Sequence, residues 1–156
     1  MTDSRQLLIV AHTPSPNTKR MADAVLAGAR HADIQNVQAR HLPPLEACPE
    51  DVLAANAIIL GTTENLGYMS GALKDFFDRI YYPCLEETQA MPFASFIRAG
   101  RDGTGTIRAI ETITTGLRWR AVQEALLCQG SFDEDFIRQC EDLGLYLAAG
   151  LDAGIF

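Results

Sequence analysis

The stretch LLIVAHTPSPNTKRMADAV, residues 7–25, contains the three local patterns that decide the fold. It opens with an apolar run of strand length, breaks into hydroxyl, proline and amide side chains, and then places Met21 and Val25 at a helical spacing that Ala29 continues. Ser15 is a favoured helix N-cap and Pro16 a favoured first helical residue. The stretch therefore predicts a buried strand, a polar loop and a helix that follows Ser15.

The rest of the chain repeats this alternation of strand and helix. Short apolar or β-rich runs at residues 6–11, 57–61, 92–97 and 121–128 predict four strands, and the polar alternating run at 34–42 predicts a fifth. Strict alternation implies a parallel sheet covered by helices on both faces. The polar run belongs at an edge, which favours the strand order 2-1-3-4-5 for a single domain over residues 1–156.

Four further helices are expected. Pro49 opens a short one over residues 49–55, and Ser131 with Glu134 forms a capping box before the last. The apolar positions of the other three are Leu73, Phe76, Phe77 and Ile80, then Ile107, Ile110, Thr114 and Leu117, and finally Phe136, Ile137, Cys140, Leu143, Leu147 and Leu151.

Composition and charge narrow the classes of function. With 156 residues and 47% hydrophobic content, the chain has enough apolar side chains for one compact core. A net charge of -7 disfavours nucleic acid and anionic membranes as partners, and it favours a basic partner if a protein binds. No apolar run approaches the roughly 20 residues of a membrane span, and the amino-terminal MTDSRQ lacks the regions of a signal peptide. We therefore expect a cytoplasmic protein.

Three loops are expected at the carboxyl edge of the sheet, where open α/β sheets bind their ligands. The first loop is HTPSPNT (residues 12–18), the second is GTTENLGYMSG (61–71) and the third is RAGRDGTG (98–105). All three are rich in hydroxyl, amide or glycine. We therefore expect the ligand site to lie among them.

The first loop has the composition of a phosphate cradle. At a helix start the backbone N–H groups of Asn17, Thr18 and Lys19 would be free, and the hydroxyls of Thr13, Ser15 and Thr18 stand beside the positive end of the helix. Simple helix capping needs only Ser15 or Asn17 and leaves the other hydroxyls unexplained. Neither GxxxxGK[ST] nor GxGxxG follows the first strand, so the pattern points to a mononucleotide.

No metal site or catalytic constellation emerges. The four cysteines are Cys48, Cys84, Cys128 and Cys140. They are widely spaced without a CxxC pair, so we expect reduced and mostly buried thiols. His12 ends the first predicted strand and either touches phosphate or substrate or is satisfied by backbone, while His31 and His41 are isolated. Trp119 is expected in the core or at its rim. The sequence shows no Ser-His-Asp, Cys-His or paired-carboxylate pattern, so we name no catalytic acid or base.

Two segments resemble a known family. HTPSPNTKRMADAV (12–25) is similar to the T/S-x-T-G-N-T phosphate loop of flavodoxins and of the related NAD(P)H-dependent FMN and quinone reductases. Thr13, Ser15, Asn17 and Thr18 stand at matching positions, and Pro16 stands where glycine is usual. GTTENLGYMSGALKDFFDR (61–79) is similar to that family's more specific G-[ST]-P-x-Y-x-G-x-[MP]-[SA]-x-x-[ML]-K-x-F-x-D-R stretch. The resemblance implies a flavodoxin-like three-layer sandwich, FMN as cofactor, and a flavin ring held between the second and third loops.

The chemistry of the second and third loops is compatible with such a ring. Backbone groups of the second loop would meet its polar edge, and Tyr68 or Met69 its apolar face. Glycines of the third loop would let backbone reach the pyrimidine end, and Arg101 would place positive charge near a reduced flavin. The cofactor positions expected in these two loops are Thr62, Thr63, Glu64, Asn65, Leu66, Gly67, Tyr68, Met69, Ala99, Gly100, Arg101, Gly103 and Gly105. In the competing interpretation, Gly67 and Gly71 serve only the geometry of turns and Ser70 caps the next helix. The charged side chains of the third loop then only keep an exposed loop soluble.

These observations favour a small FMN-dependent oxidoreductase that takes hydride from NADH or NADPH and reduces a quinone, a free flavin or a similar acceptor. The alternative is a flavodoxin-type carrier of single electrons between protein partners. A phosphoacceptor receiver domain is disfavoured because Ala11-His12 and Gly61-Thr62 stand where it needs acidic residues. A flavodoxin-like protein without its cofactor is a further alternative. The resemblance also makes a homodimer or homotetramer possible, in which neighbouring subunits complete the active site.

Overall fold

A computed structural model describes residues 4–156. The expectation for the amino-terminal MTDSRQ falls in part on residues 1–3, which lie outside the described residues. The strands are β1 (Arg5–Ala11), β2 (Val37–Leu42), β3 (Ala57–Asn65), β4 (Tyr68–Met69), β5 (Pro92–Ala99), β6 (Arg120–Ala121) and β7 (Leu126–Gln129). The helices are α1 (Pro16–Ala29), α2 (Pro49–Leu53), α3 (Gly71–Cys84), α4 (Thr104–Gly116) and α5 (Asp135–Asp152).

The strand order confirms the predicted topology. The parallel sheet runs β2-β1-β3-β5, and β5 pairs on its far side with β6 and then with β7. The predicted fourth strand is thus β5, and the predicted fifth is split, because residues 122–125 leave the sheet between β6 and β7. β4 forms a short antiparallel hairpin with the end of β3, which the sequence did not predict. The polar β2 lies at an edge, as expected.

Two apolar cores make the fold a three-layer sandwich. One lies between the sheet and helices α2, α3 and α4, and the other between the sheet and helices α1 and α5. Alternate residues of β5 supply the two cores, Phe93 and Ile97 on the first side and Ala94 and Phe96 on the second. Helices α1 and α5 approach so closely that a Cβ on Gly144 would overlap the carbonyl oxygen of Val25.

Helix caps set where the loops end. Ser15 caps α1 and Ser70 caps α3, which confirms both assignments, and each side chain accepts a backbone N–H. The predicted Ser131–Glu134 capping box is wrong, since α5 begins at Asp135 and Glu134 makes no side-chain cap bond. The carboxylate of Asp133 accepts the Asp135 N–H at 2.9 Å instead, in a local turn that leads into the first residue of the helix.

Other predicted core positions are buried. Trp119 packs against Phe77 and Phe93, and its Nε1–H donates to the Thr88 hydroxyl at 2.9 Å. All four cysteines are free thiols, and three of them are buried. Across residues 4–156, none of the helices has the length and apolar character that crossing a membrane requires.

Candidate functional site

The first loop joins the carboxyl end of β1 to the start of α1. Ser15 Oγ accepts the Thr18 N–H at 3.2 Å, and Thr18 Oγ1 accepts the Ser15 N–H at 3.0 Å. The Lys19 N–H bonds to the Ser15 carbonyl at 3.0 Å, as in any helix start. The expectation of three free N–H groups is therefore wrong for Thr18 and Lys19. Within the described chain, only the Asn17 N–H of the three has no hydrogen-bond partner.

The capping hydroxyls nevertheless lie where an anion would contact them. Ser15 is exposed and Thr13 and Asn17 are half-buried, so all three are accessible to a ligand, whereas Thr18 is buried and its hydroxyl donates to the Ser15 carbonyl at 3.0 Å. The two hydroxyls of the capping box lie 3.0 Å apart, and a hydroxyl can rotate to donate to a phosphate oxygen. The capping interpretation and the phosphate interpretation are therefore compatible at this loop.

Two arginines stack on one aromatic ring near the start of α1. Sequence reasoning missed Arg20 and considered Arg98 only as a charge that keeps the third loop soluble. The guanidinium groups of Arg20 and Arg98 stack on the Phe132 ring, 5.6 and 5.8 Å from its centroid. Arg20 also donates to Asn17 Oδ1 at 3.2 Å, and its ion pair with Glu134 holds the pKa of that carboxyl below its usual value. Arg20, Arg98 and Phe132 are far apart in sequence, so no local sequence pattern predicts this cluster.

The second loop is a hairpin rather than an irregular turn. Leu66 and Gly67 form its tip with φ of 52° and 83°, and both are exposed. The Thr63 hydroxyl donates to Asn65 Oδ1 at 2.8 Å within the hairpin. Tyr68, 41% exposed, remains available to a planar ligand.

Three of the expected contact side chains are in the core instead. Met69 is 2% exposed and packs in the α2–α4 core, so its expected place against a ring face is wrong. Thr62 is 3% exposed, and its hydroxyl accepts the Ser70 N–H, which fixes the start of α3. Ala99 is fully buried, and its carbonyl accepts from the Gly130 N–H and from Arg98. Thr62 and Ala99 lie on β3 and β5, which run farther than predicted, and Met69 lies on β4, the returning strand of the hairpin.

The third loop presents an exposed turn before α4. Gly100, Arg101 and Asp102 are exposed, and Gly103 has a φ of 70° that favours glycine. The backbone N–H and hydroxyl of Thr104 hold the pKa of the Asp102 carboxyl below its usual value. Gly105 is not open to a ligand, since a Cβ there would overlap the Gly67 carbonyl oxygen.

A single side chain connects the second and third loops. The Glu64 carboxylate accepts the Arg101 N–H at 3.2 Å and the Gly103 N–H at 2.8 Å. The Gly103 N–H is therefore already bonded, although the sequence had suggested that the backbone of this glycine would reach the pyrimidine end of the ring. A cleft of about 530 Å³ opens between the loops, lined by Glu64, Leu66, Gly67, Gly100, Arg101 and Asp102.

Two histidines lie at the carboxyl end of β1. The backbone N–H of His12 donates to the Gly61 carbonyl at 3.0 Å, and the residue is half-buried at the start of the first loop. His41, expected to be isolated, lies with Nε2 3.1 Å from the Ala11 carbonyl at the end of β1. Among residues 4–156 no three His, Cys, Asp or Glu side chains cluster as a metal site would require. A cleft of about 570 Å³ beside residues 121–125 lies at the sheet edge, away from the three loops.

The residues present fit FMN in two separate ways. The first loop offers hydroxyls and one open N–H to a phosphate, at the positive end of α1. The cleft between the second and third loops falls within the volume range of small-ligand sites, about 300–1,000 Å³. All three loops lie at the carboxyl edge of the sheet.

Comparisons with known proteins agree with this arrangement. Residues 7–127 match the NADPH-dependent FMN reductase family. A flavodoxin from Aquifex aeolicus (strain VF5) is 33% identical over 112 residues, which span 72% of this chain and 60% of the relative's length. A flavodoxin structure from the domain Archaea superposes with a TM-score of 0.75 at 20% identity, covering 92% of this chain and 96% of that chain. The apo form of an NADH:FMN oxidoreductase superposes with a TM-score of 0.71 at 16% identity, covering 94% and 90%. These structural similarities establish a flavodoxin-like fold.

Proposed function

We propose that the chain, which belongs to the NADPH-dependent FMN reductase family, is an FMN-dependent oxidoreductase. It takes hydride from NADH or NADPH and reduces a quinone, a free flavin or a similar acceptor. The cofactor of this flavoprotein is FMN. When bound, FMN supplies the hydride and electron chemistry, and the protein supplies binding, orientation and local electrostatics.

The observation that carries the proposal is the pairing of two features at one edge of the sheet. The hydroxyl-rich start of α1 suits a phosphate, and the cleft beside Glu64 and Arg101 suits a planar ring. We assign Thr13, Ser15 and Asn17 to the phosphate, whereas the buried Thr18 positions Ser15 through the capping box. We assign the exposed backbone of residues 64–67 and 100–101, together with Tyr68, to the ring. Met69, Ala99 and Thr62 support these loops from the core.

Charge at the site is consistent with these roles. Arg20 and Arg98 add positive charge near the phosphate end, although Glu134 offsets part of it. Arg101 is exposed beside the cleft, where a cation would favour a ring that gains negative charge on reduction. No side chain is required as an acid or base for hydride transfer itself.

Anaerobic stopped-flow mixing of the FMN-loaded protein with NADPH, and separately with NADH, tests the proposal. We expect flavin absorbance near the visible maximum to bleach in one phase whose rate saturates with nicotinamide. Turnover with a quinone that does not exceed the rate of the same concentration of free FMN would overturn it.

A flavodoxin-type electron carrier is the second candidate. The flavodoxin from Aquifex aeolicus is the observation that favours it, at 33% identity. A carrier would resist direct reduction by NADPH, and photochemical titration would halt at the one-electron stage. The reductase instead accepts two electrons from the nicotinamide in one step.

A further inference from the structure

The Glu64 carboxylate accepts two backbone hydrogen bonds, whereas an acid that only kept the surface soluble would need none. Its two oxygens accept two different backbone N–H groups, from Arg101 at 3.2 Å and from Gly103 at 2.8 Å. These residues lie 37 and 39 positions farther along the chain. One side chain of the second loop therefore bonds directly to the backbone of the third.

A second contact joins the same two loops. The Gly67 carbonyl at the hairpin tip lies against Gly105, and only glycine leaves room for it there. Glu64 thus contacts the third loop at Arg101 and Gly103, and Gly67 contacts it at Gly105. We call this pair of contacts the loop lock.

At their base the two loops are also joined by the β3–β5 ladder, in which Thr63 pairs with Arg98. Beyond the ladder, the Thr63 hydroxyl bonds to Asn65 within the hairpin, and the Asp102 carboxylate bonds to Thr104 within the third loop. The hairpin tip is solvent-exposed, with Leu66 fully exposed. Hydrogen bonds within a loop do not fix its distance from its neighbour, so the loop lock fixes the spacing of the two loops beyond the end of the ladder.

We propose that Glu64 is a positioning residue that holds the second and third loops at the spacing a flavin ring needs. This inference rests on the proposed function. It concerns the ring and not the phosphate, because the first loop makes no contact with Glu64. A carboxylate suits the role because a charged acceptor bonds N–H groups about twice as strongly as a neutral one.

Two variants and a control distinguish the effect of losing the loop lock from the effect of losing one negative charge. Glu64→Ala removes both acceptors, and Glu64→Gln keeps one carbonyl oxygen while placing an NH₂ group against the other N–H. Glu111→Ala removes an equal charge from the exposed face of α4 and serves as the matched control.

Amide hydrogen exchange of the ligand-free protein, followed by NMR, reports the lock without any flavin. We expect Glu64→Ala to speed exchange of the Arg101 and Gly103 amides at least about tenfold, Glu64→Gln to speed it less, and Glu111→Ala to leave it unchanged. Unchanged exchange at both amides in Glu64→Ala would overturn the lock. If Glu64→Ala fails to fold, the same comparison is made with Glu64→Gln.

Flavin affinity then tests the consequence. Riboflavin shares the ring of FMN but lacks its phosphate. We expect Glu64→Ala to weaken FMN and riboflavin binding by the same factor, about tenfold or more, with Glu64→Gln intermediate. Faster exchange with wild-type affinity for both flavins would refute the positioning role. A wild-type chain that binds neither flavin would refute the proposed function and the ring dependence, while the exchange result still decides the lock.

Discussion

Ser15→Ala separates the capping role of the first loop from its phosphate role. The substitution removes the acceptor of the Thr18 N–H, and losing an N-cap side chain costs about 1 kcal/mol. For a chain of 156 residues this lowers Tm by roughly 2–4 °C. A hydroxyl that donates to a phosphate forms a charge-assisted bond of about 1.5–3 kcal/mol, so FMN should bind about 10- to 150-fold more weakly.

Calorimetric titration with FMN and with riboflavin measures the two effects apart. We expect riboflavin affinity to stay within twofold of wild type, since riboflavin has no phosphate to contact Ser15. Ser131→Ala is the matched control, because Ser131 is exposed and caps no helix, and it should change neither Tm nor FMN affinity. Equal weakening of both flavins by Ser15→Ala would refute the phosphate assignment, and an unchanged Tm would refute the cap.

Three further predictions concern stability and ionisation. Gly144→Ala pushes a Cβ into the Val25 carbonyl, so it should lower the free energy of unfolding in urea by about 1–3 kcal/mol. Gly71→Ala has open space at its Cβ and should be nearly neutral. Equal effects of the two variants would contradict the α1–α5 packing. Leu66→Asn relieves a leucine at φ 52° and should raise stability by about 0.5–1 kcal/mol, and a lower Tm would argue against the hairpin tip. Burial raises the pKa of the Cys84 thiol to about 11 from an ordinary 9.0. The unfolded state therefore releases this proton at lower pH than the folded state does. As pH rises from 9.0 to about 11, the free energy of unfolding should fall by up to about 3 kcal/mol. Cys84→Ala should remove that part of the pH dependence, and an unchanged pH profile would contradict it.

The sheet was readable from the sequence because its strands are buried on both faces. Runs such as LLIVA and AIILG can only be interior strands, and the polar β2 can only be an edge. The cap at Ser15 was readable for a similar reason, since serine followed by proline satisfies the start of a helix locally. The Ser131 cap failed because Asp133, closer to the helix, supplies a competing turn.

The walls of the cleft were less predictable because they depend on contacts between distant segments. The loop composition indicated the candidate site, but composition does not show that β3 extends to Asn65 and turns into a hairpin. That extension takes Met69 into the core and turns Glu64 toward the third loop. The Arg20–Phe132–Arg98 stack likewise joins three separate elements, and no spacing in the sequence encodes it.

The visible spectrum of the purified protein is the decisive measurement for an FMN reductase. It is recorded after incubation with FMN and desalting, and again after anaerobic addition of NADPH. We expect the protein to retain yellow flavin and NADPH to bleach it. Retained flavin that NADPH does not bleach would contradict the reductase assignment and favour the electron carrier. A folded protein that retains no flavin would contradict the assignment of the first loop to the phosphate of FMN.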